Sequence, residues 1–180
     1  MEEEVLSVLN SSVILIGMPG CGKSTVGKTL ARELAVDFCD TDDLITQSTG
    51  EKLQDTLDKR GREGFLDKER RTLMQFSPEK PMVISTGGSV VLHDDVMKRL
   101  KSMGTIVFLD ADLPLIKKRL WNLDSRGIVF NGNDDDISAV YREREPLYYK
   151  YADIRIHIRH RHVNDMVREI IRELKNRQSV

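Results

Sequence analysis

The sequence predicts one α/β domain of three layers, a parallel sheet with helices on both faces. Three observations predict it. Short apolar runs alternate with amphipathic segments of helical period, the pattern of right-handed strand–helix–strand crossovers. The first run, Val13-Ile14-Leu15-Ile16, is continuously apolar, as a strand buried on both faces should be. That run passes through Gly17-Met-Pro-Gly20 and then into a helix-forming segment.

The elements follow in order. Lys23 to Ala35 reads as a helix, with Val26, Leu30 and Leu34 at spacings of four. A weaker strand lies near Phe38–Asp40, followed by helical patterns at about Asp42–Thr49 and Gly64–Phe76. Met82–Ser85 is the next strand, Asp94–Met103 the next helix, and Thr105–Leu109 a strand again. Leu113–Leu123 and Asp135–Tyr151 are helical, Ile154–Ile158 is the last strand and Val163–Lys175 the last helix. Pro78 and Pro81 bracket a turn, and Asn131–Asp136 is the most loop-like stretch. No repeat or linker divides residues 1–180, so a single domain is expected.

Composition narrows the class. Hydrophobic residues make up 39% and charged residues 32%, ordinary for a globular domain. With 28 Lys+Arg against 29 Asp+Glu the formal charge is -1, which leaves no basic footprint for nucleic acid or an anionic membrane. No apolar run reaches the roughly 18 residues of a membrane span. The chain starts Met1-Glu2-Glu3-Glu4, acidic where a secretory signal is basic. Its two cysteines, Cys21 and Cys39, form neither a CxxC pair nor a disulfide framework. A reduced, cytoplasmic, monomeric protein is the expectation.

The strongest motif is Gly17-Met-Pro-Gly20-Cys21-Gly22-Lys23-Ser24-Thr25, a full G-x4-G-K-S match between an apolar strand and an amphipathic helix. Its glycines let successive backbone N–H groups turn inward toward phosphate oxygens. Lys23 reaches the β- and γ-phosphates, the Ser24 hydroxyl ligates Mg2+, and the helix N-terminus adds its positive dipole end. Nucleotide binding by Gly20–Thr25 follows; the reaction does not.

Three classes own such a cradle: guanine-nucleotide switches, motor or assembly ATPases, and small-molecule kinases. No Asn-Lys-x-Asp stretch for guanine is present, and one short domain leaves no room for partner-contacting insertions. An ATP-dependent kinase is therefore expected. Asp40-Thr41-Asp42-Asp43, after the second strand, supplies carboxylates where ligands bind in such sheets. One carboxylate can hold magnesium through water and another can take a proton from an acceptor hydroxyl. The competing reading is structural, with Asp42 or Asp43 capping the following helix.

With those residues in view, the chain resembles the shikimate kinase family from Gly17 to about Leu174. The resemblance rests on GMPGCGKST, on Asp40-Thr41-Asp42, on Gly61-Arg-Glu-Gly-Phe65, on Thr86-Gly87-Gly88, and on Arg144-Glu-Pro-Leu-Tyr148 with Ala152-Asp153, in that order. It implies a P-loop kinase fold with a five-stranded parallel sheet and a mobile lid at about 122–138. It also implies phosphorylation of shikimate to shikimate 3-phosphate, in aromatic amino-acid biosynthesis, with ATP as co-substrate and Mg2+ as cofactor. By resemblance, Asp42 holds the acceptor hydroxyls and is the candidate base, and Asp40 contacts Mg2+ through water alongside Ser24. Gly87 and Gly88 present N–H groups to substrate, and Arg144 grips its carboxylate. Arg126 reaches over the phosphates with Lys23, and Arg119 flanks adenine. The competing reading of Arg142-Glu143-Arg144-Glu145 is an exposed face of ion pairs.

Three departures from the family pattern bear on the acceptor. Where the family has a second carboxylate-gripping arginine after Phe65, this chain has Leu66; Arg70, one turn on, is the nearest substitute. Ser89 stands where a third glycine is usual, either obstructing the approach to the backbone or adding a hydrogen bond. After Arg126 the chain reads Gly-Ile-Val-Phe130 where the family has Pro-Leu-Leu. The alternatives to shikimate are therefore another small polyol or hydroxy compound, or a non-catalytic nucleotide binder. His157, His160 and His162 interleave with Arg159 and Arg161, which suits a basic loop better than a metal site, and the family resemblance implies that this loop touches the adenine ring.

Overall fold

In the computed structural model, residues 9–121, 134–159 and 161–178 are described. Five strands form one parallel sheet in the order β2-β3-β1-β4-β5. They are β1 (Ser12–Ile16), β2 (Asp37–Asp40), β3 (Met82–Ser85), β4 (Gly104–Asp110) and β5 (Ile154–His157). The helices are α1 (Lys23–Glu33), α2 (Thr41–Thr49), α3 (Leu53–Gln75), α4 (Asp94–Met103), α5 (Leu113–Trp121), α6 (Asp134–Tyr151) and α7 (Val163–Gln178). Among the described residues no helix is long and apolar enough to cross a membrane.

The central strand β1 pairs with β3 on one side and β4 on the other, with Ile14 opposite both Ile84 and Ile106. Every residue of β1 is buried, which is why it reads as an unbroken apolar run. Helices α1 and α7 pack together on one face, while α4 and α6 contact β4 on the other. All parallel strands point the same way. The loops after β1, β2 and β3 therefore meet at one edge of the sheet, where ligands bind in open α/β folds.

Several boundaries differ from the sequence expectations for local reasons. Helix α3 begins at Leu53, eleven residues before the expected Gly64, and bends at Gly61 (φ 65°, ψ -173°). Gly61 and Gly64 interrupt the helical pattern, and Thr56 is the sole side chain of the first half that is fully buried. Strand β5 stops at His157, so His162 lies at the start of α7 and not on a continued strand. His160 lies outside the described residues. Helix α6 starts at Asp134, inside the stretch expected to be a loop, and runs through Pro146. Arg126 and residues 122–133 of the expected lid also lie outside the described residues.

Candidate functional site

The loop Gly17–Gly22 joins β1 to α1. Gly22 sits at the α1 N-cap with φ 103°, a conformation that L side chains rarely adopt, and Gly20 has φ 77°. Lys23 is buried, and its Nζ donates to the carbonyls of Gly17 at 2.8 Å and Met18 at 2.9 Å. Cys21 is 1% exposed and fills the loop interior, 3.7 Å from Lys23 Nζ, as a small residue in a tight turn should. From α5, Arg119 Nη1 donates to the carbonyls of Cys21 (2.8 Å) and Gly20 (3.3 Å), so it braces the loop from outside.

Beside the loop, Ser24 Oγ donates to Asp40 Oδ2 at 2.6 Å. The other oxygen of Asp40 accepts the Asp42 N–H at 3.1 Å, so Asp40 is the N-cap of α2. This corrects the expectation that Asp42 or Asp43 caps that helix: both stand in its first turn. The Asp42 carboxyl is thereby free to face the cleft, which it lines with Lys23 and Ser24. Burial, then the neighbouring carboxylates of Asp40 and Glu69, push its pKa up to about 7, against the opposing pull of Lys23. Ser24 and Asp40 form a pair of hard oxygen donors suited to Mg2+.

The loop after β3 closes the third side. Thr86 donates through N and Oγ1 to Leu15 O, tying it to β1. A Cβ on Gly87 would sit 2.7 Å from Glu69 Oε1 and 2.9 Å from Asp42 Oδ1; one on Gly88 would sit 2.6 Å from Pro19 Cδ. A side chain at either position would force a neighbour to shift, and both residues line the cleft.

Arg144, from α6, is 2% exposed, so the exposed ion-pair face proposed for it is overturned. Its guanidinium contacts Tyr148, whose hydroxyl donates to Gly88 O at 2.6 Å. Nε and Nη2 of Arg144 are buried with no hydrogen-bond partner, and the residue lines the cleft with Phe65, Gly87 and Asp42. Such a fork matches a carboxylate.

One cleft of about 880 Å³ contains all these groups. It brings together Gly20, Cys21, Gly22, Lys23, Ser24, Thr25, Asp40, Asp42, Gly87, Gly88, Arg119 and Arg144, every expected site residue except Arg126. Arg161, Val163 and Met166 also line it and add apolar and basic surface. His157 instead turns to Asp110, with Nδ1 3.1 Å from Oδ2.

Of the departures, the Arg70 substitute is not realised, whereas Ser89 follows the second of its two expected alternatives and adds a hydrogen bond. Arg70 pairs with Asp95 on α4 at 2.5 Å and does not replace an arginine at position 66. Ser89 Oγ does not obstruct the backbone; it donates toward both oxygens of Glu69, at 2.8 Å each. Sequence reasoning missed Glu69, His93 and Lys52. Glu69 was findable, because it follows Phe65 by four residues on one helix face. Lys52 lines the cleft from the start of α3.

The family model for shikimate kinase matches residues 19–175. The shikimate kinase of Thermodesulfovibrio yellowstonii is 37% identical over 163 residues, covering 90% of this chain and 94% of that protein. The structure of an Acinetobacter baumannii shikimate kinase in complex with shikimate superimposes with a TM-score of 0.88 at 25% identity, covering 98% of each chain. The Aquifex aeolicus shikimate kinase structure gives 0.80 at 30% identity, covering 93% of this chain and 98% of that one. The family model and these relatives span nearly the whole length that holds the cleft, and the chain belongs to the shikimate kinase family.

Proposed function

We propose that this chain transfers the γ-phosphoryl group of ATP to a hydroxyl of shikimate, giving shikimate 3-phosphate for aromatic amino-acid biosynthesis. The observation that carries the proposal is Arg144. It is a buried guanidinium with two unpartnered nitrogen atoms, in the same cleft as a phosphate loop and Asp42. A small hydroxylated carboxylate satisfies all three at once, and the Acinetobacter relative was solved with shikimate.

The roles follow from position. Backbone N–H groups of Gly20–Ser24 cradle the phosphates, and Lys23 moves from its loop carbonyls to the β- and γ-oxygens. Ser24 and Asp40 hold Mg2+, which when bound neutralises charge on the phosphates. Arg144 anchors the acceptor carboxylate while Gly87 and Gly88 offer N–H groups beside it. That pose sets the hydroxyl against Asp42. The hydroxyl oxygen bonds to the γ-phosphorus, the bond to the β,γ-bridging oxygen breaks, ADP leaves, and the hydroxyl proton passes to the Asp42 carboxylate. Arg119, Arg161, Val163 and Met166 form the wall that receives adenine. The two free thiols fit the reduced cytoplasm.

The test is ADP release from Mg-ATP with and without shikimate. Turnover that depends on shikimate supports the proposal. Slow hydrolysis unchanged by shikimate refutes it, and a panel of small polyols and hydroxy acids then identifies another acceptor.

A further inference from the structure

We propose that Ser89 and His93 are positioning residues that hold the buried Glu69 carboxylate in place of an arginine at position 66, and that Glu69 so held shapes the acceptor end of the cleft. The inference rests on the kinase reading above for its choice of acceptor, though part of its test does not.

Glu69 is 0% exposed. A carboxylate that deep must be paired or hydrogen-bonded, or it destabilises the fold. Among the described residues no lysine or arginine pairs with it. Its donors are Ser89 Oγ, 2.8 Å from each oxygen, and His93 Nε2, 3.2 Å from Oε2, in the tautomer carrying hydrogen there. The His93 side chain is only 11% exposed, so both donors belong to the interior.

Leu66 stands three residues before Glu69 on α3, and side chains at that spacing share a helix face. An arginine at 66 would therefore reach Glu69. This chain lacks that donor and carries a hydroxyl at position 89, where the family usually has glycine. The two departures are a single exchange spread over two elements: the helix gives up a donor and the loop supplies one.

The exchange matters because Glu69 packs on the glycine loop. A Gly87 Cβ would lie 2.7 Å from Glu69 Oε1 and 2.9 Å from Asp42 Oδ1, so the two carboxyl groups press on one backbone unit. The Gly87 N–H donates to Thr41 Oγ1 at 3.0 Å, one residue before Asp42. Displacing Glu69 shifts Gly87 and Asp42 together. The phosphate loop on β1 is held by other bonds.

The experiment uses the full chain and the variants Ser89→Ala, Leu66→Arg, the double variant, His93→Leu and His93→Gln. Ser89→Ala is expected to raise KM for shikimate roughly tenfold, the low end for a hydrogen bond to a charged group, with KM for ATP within about twofold. It should also lower Tm. Leu66→Arg in the Ser89→Ala background should restore most of both losses. His93→Gln, which keeps an N–H within reach, should behave as the native chain while His93→Leu does not. Strict additivity of Leu66→Arg and Ser89→Ala in Tm, or equal rises in KM for both substrates, overturns the inference. If the native chain ignores shikimate, the acceptor assignment fails by itself. The Tm cycle then still decides whether position 66 and Ser89 are coupled through Glu69.

Discussion

Arg144 is where function and stability should respond with opposite signs. Arg144→Met keeps most of the side-chain volume and removes the charge. On acceptor binding the loss is that of a charge-assisted contact, about 1.5–3 kcal/mol, or roughly 10–150-fold in kcat/KM for shikimate. On stability the change runs the other way. Nε and Nη2 are buried without partners, and each unmade hydrogen bond of that kind costs about 1–3 kcal/mol in the folded state. Methionine deletes both liabilities, loses the Tyr148 contact and leaves the Tyr148–Gly88 hydrogen bond in place. The expected result is a Tm unchanged or raised by a few degrees, at about 2–4 °C per kcal/mol for this size. Activity is read as ADP release coupled to NADH oxidation, and Tm by circular dichroism. A variant that keeps native kcat/KM for shikimate, or one that loses stability together with activity, would refute the reasoning.

Further outcomes follow from individual contacts. Gly27→Ala places a Cβ 2.6 Å from the Phe38 ring and 3.2 Å from Leu15 Cδ1. The helix-propensity gain of about 0.5–1 kcal/mol is then outweighed by overpacking of about 1–3 kcal/mol, lowering the urea midpoint at constant m. Asp40→Ala removes the α2 N-cap, costing about 1 kcal/mol of stability, and raises the Mg2+ concentration needed for half-maximal turnover. Lys52→Ala removes an exposed charge on the cleft wall, so KM for shikimate rises by about threefold at low salt and by less at high salt.

Strands β1, β3 and β4 were legible because they are largely buried on both faces, which writes them into the sequence as apolar runs; the edge strands β2, half-exposed throughout, and β5, alternating buried and exposed, carry a weaker signal. The phosphate loop was legible because its backbone conformation demands glycine at fixed spacing. Asp40 and Asp42 were legible as a pair, but not in their division of labour. Either order of cap and free carboxylate fits the string Asp-Thr-Asp-Asp, and it is the Asp42 N–H bond to Asp40 Oδ1 that assigns Asp40 to the cap. The first half of α3 was not legible, because it is largely solvent-facing, ends at Gly61, and makes its buried contact through Thr56. Glu69 carried one local signal, its place four residues after Phe65 on the same helix face, but it stands among Lys68, Arg70 and Arg71, whose ion pairs with Glu51, Asp95 and Asp67 make the run read as a solvated face.

These differences in legibility track how each half of the cleft is built. The nucleotide half is made by contiguous backbone, Gly17 to Thr25, whose shape depends on glycine φ angles and on Lys23 reaching its own loop. A change at one of those positions cannot be offset from elsewhere. The acceptor half is assembled from side chains on α2, α3, the loop after β3, and α6, which meet only in the folded state. There a donor lost from one element can be replaced from another, as the Ser89 hydroxyl on Glu69 illustrates. Divergence within the family should therefore concentrate in the acceptor half, in compensating pairs that look like independent losses until the contacts are traced. Leu66 and Ser89 read alone would argue for a changed acceptor. Read through Glu69 they argue for a pocket wall held together by different bonds, while the grip on the acceptor carboxylate falls to Arg144, and that buried fork is why shikimate stands as the first acceptor despite both departures.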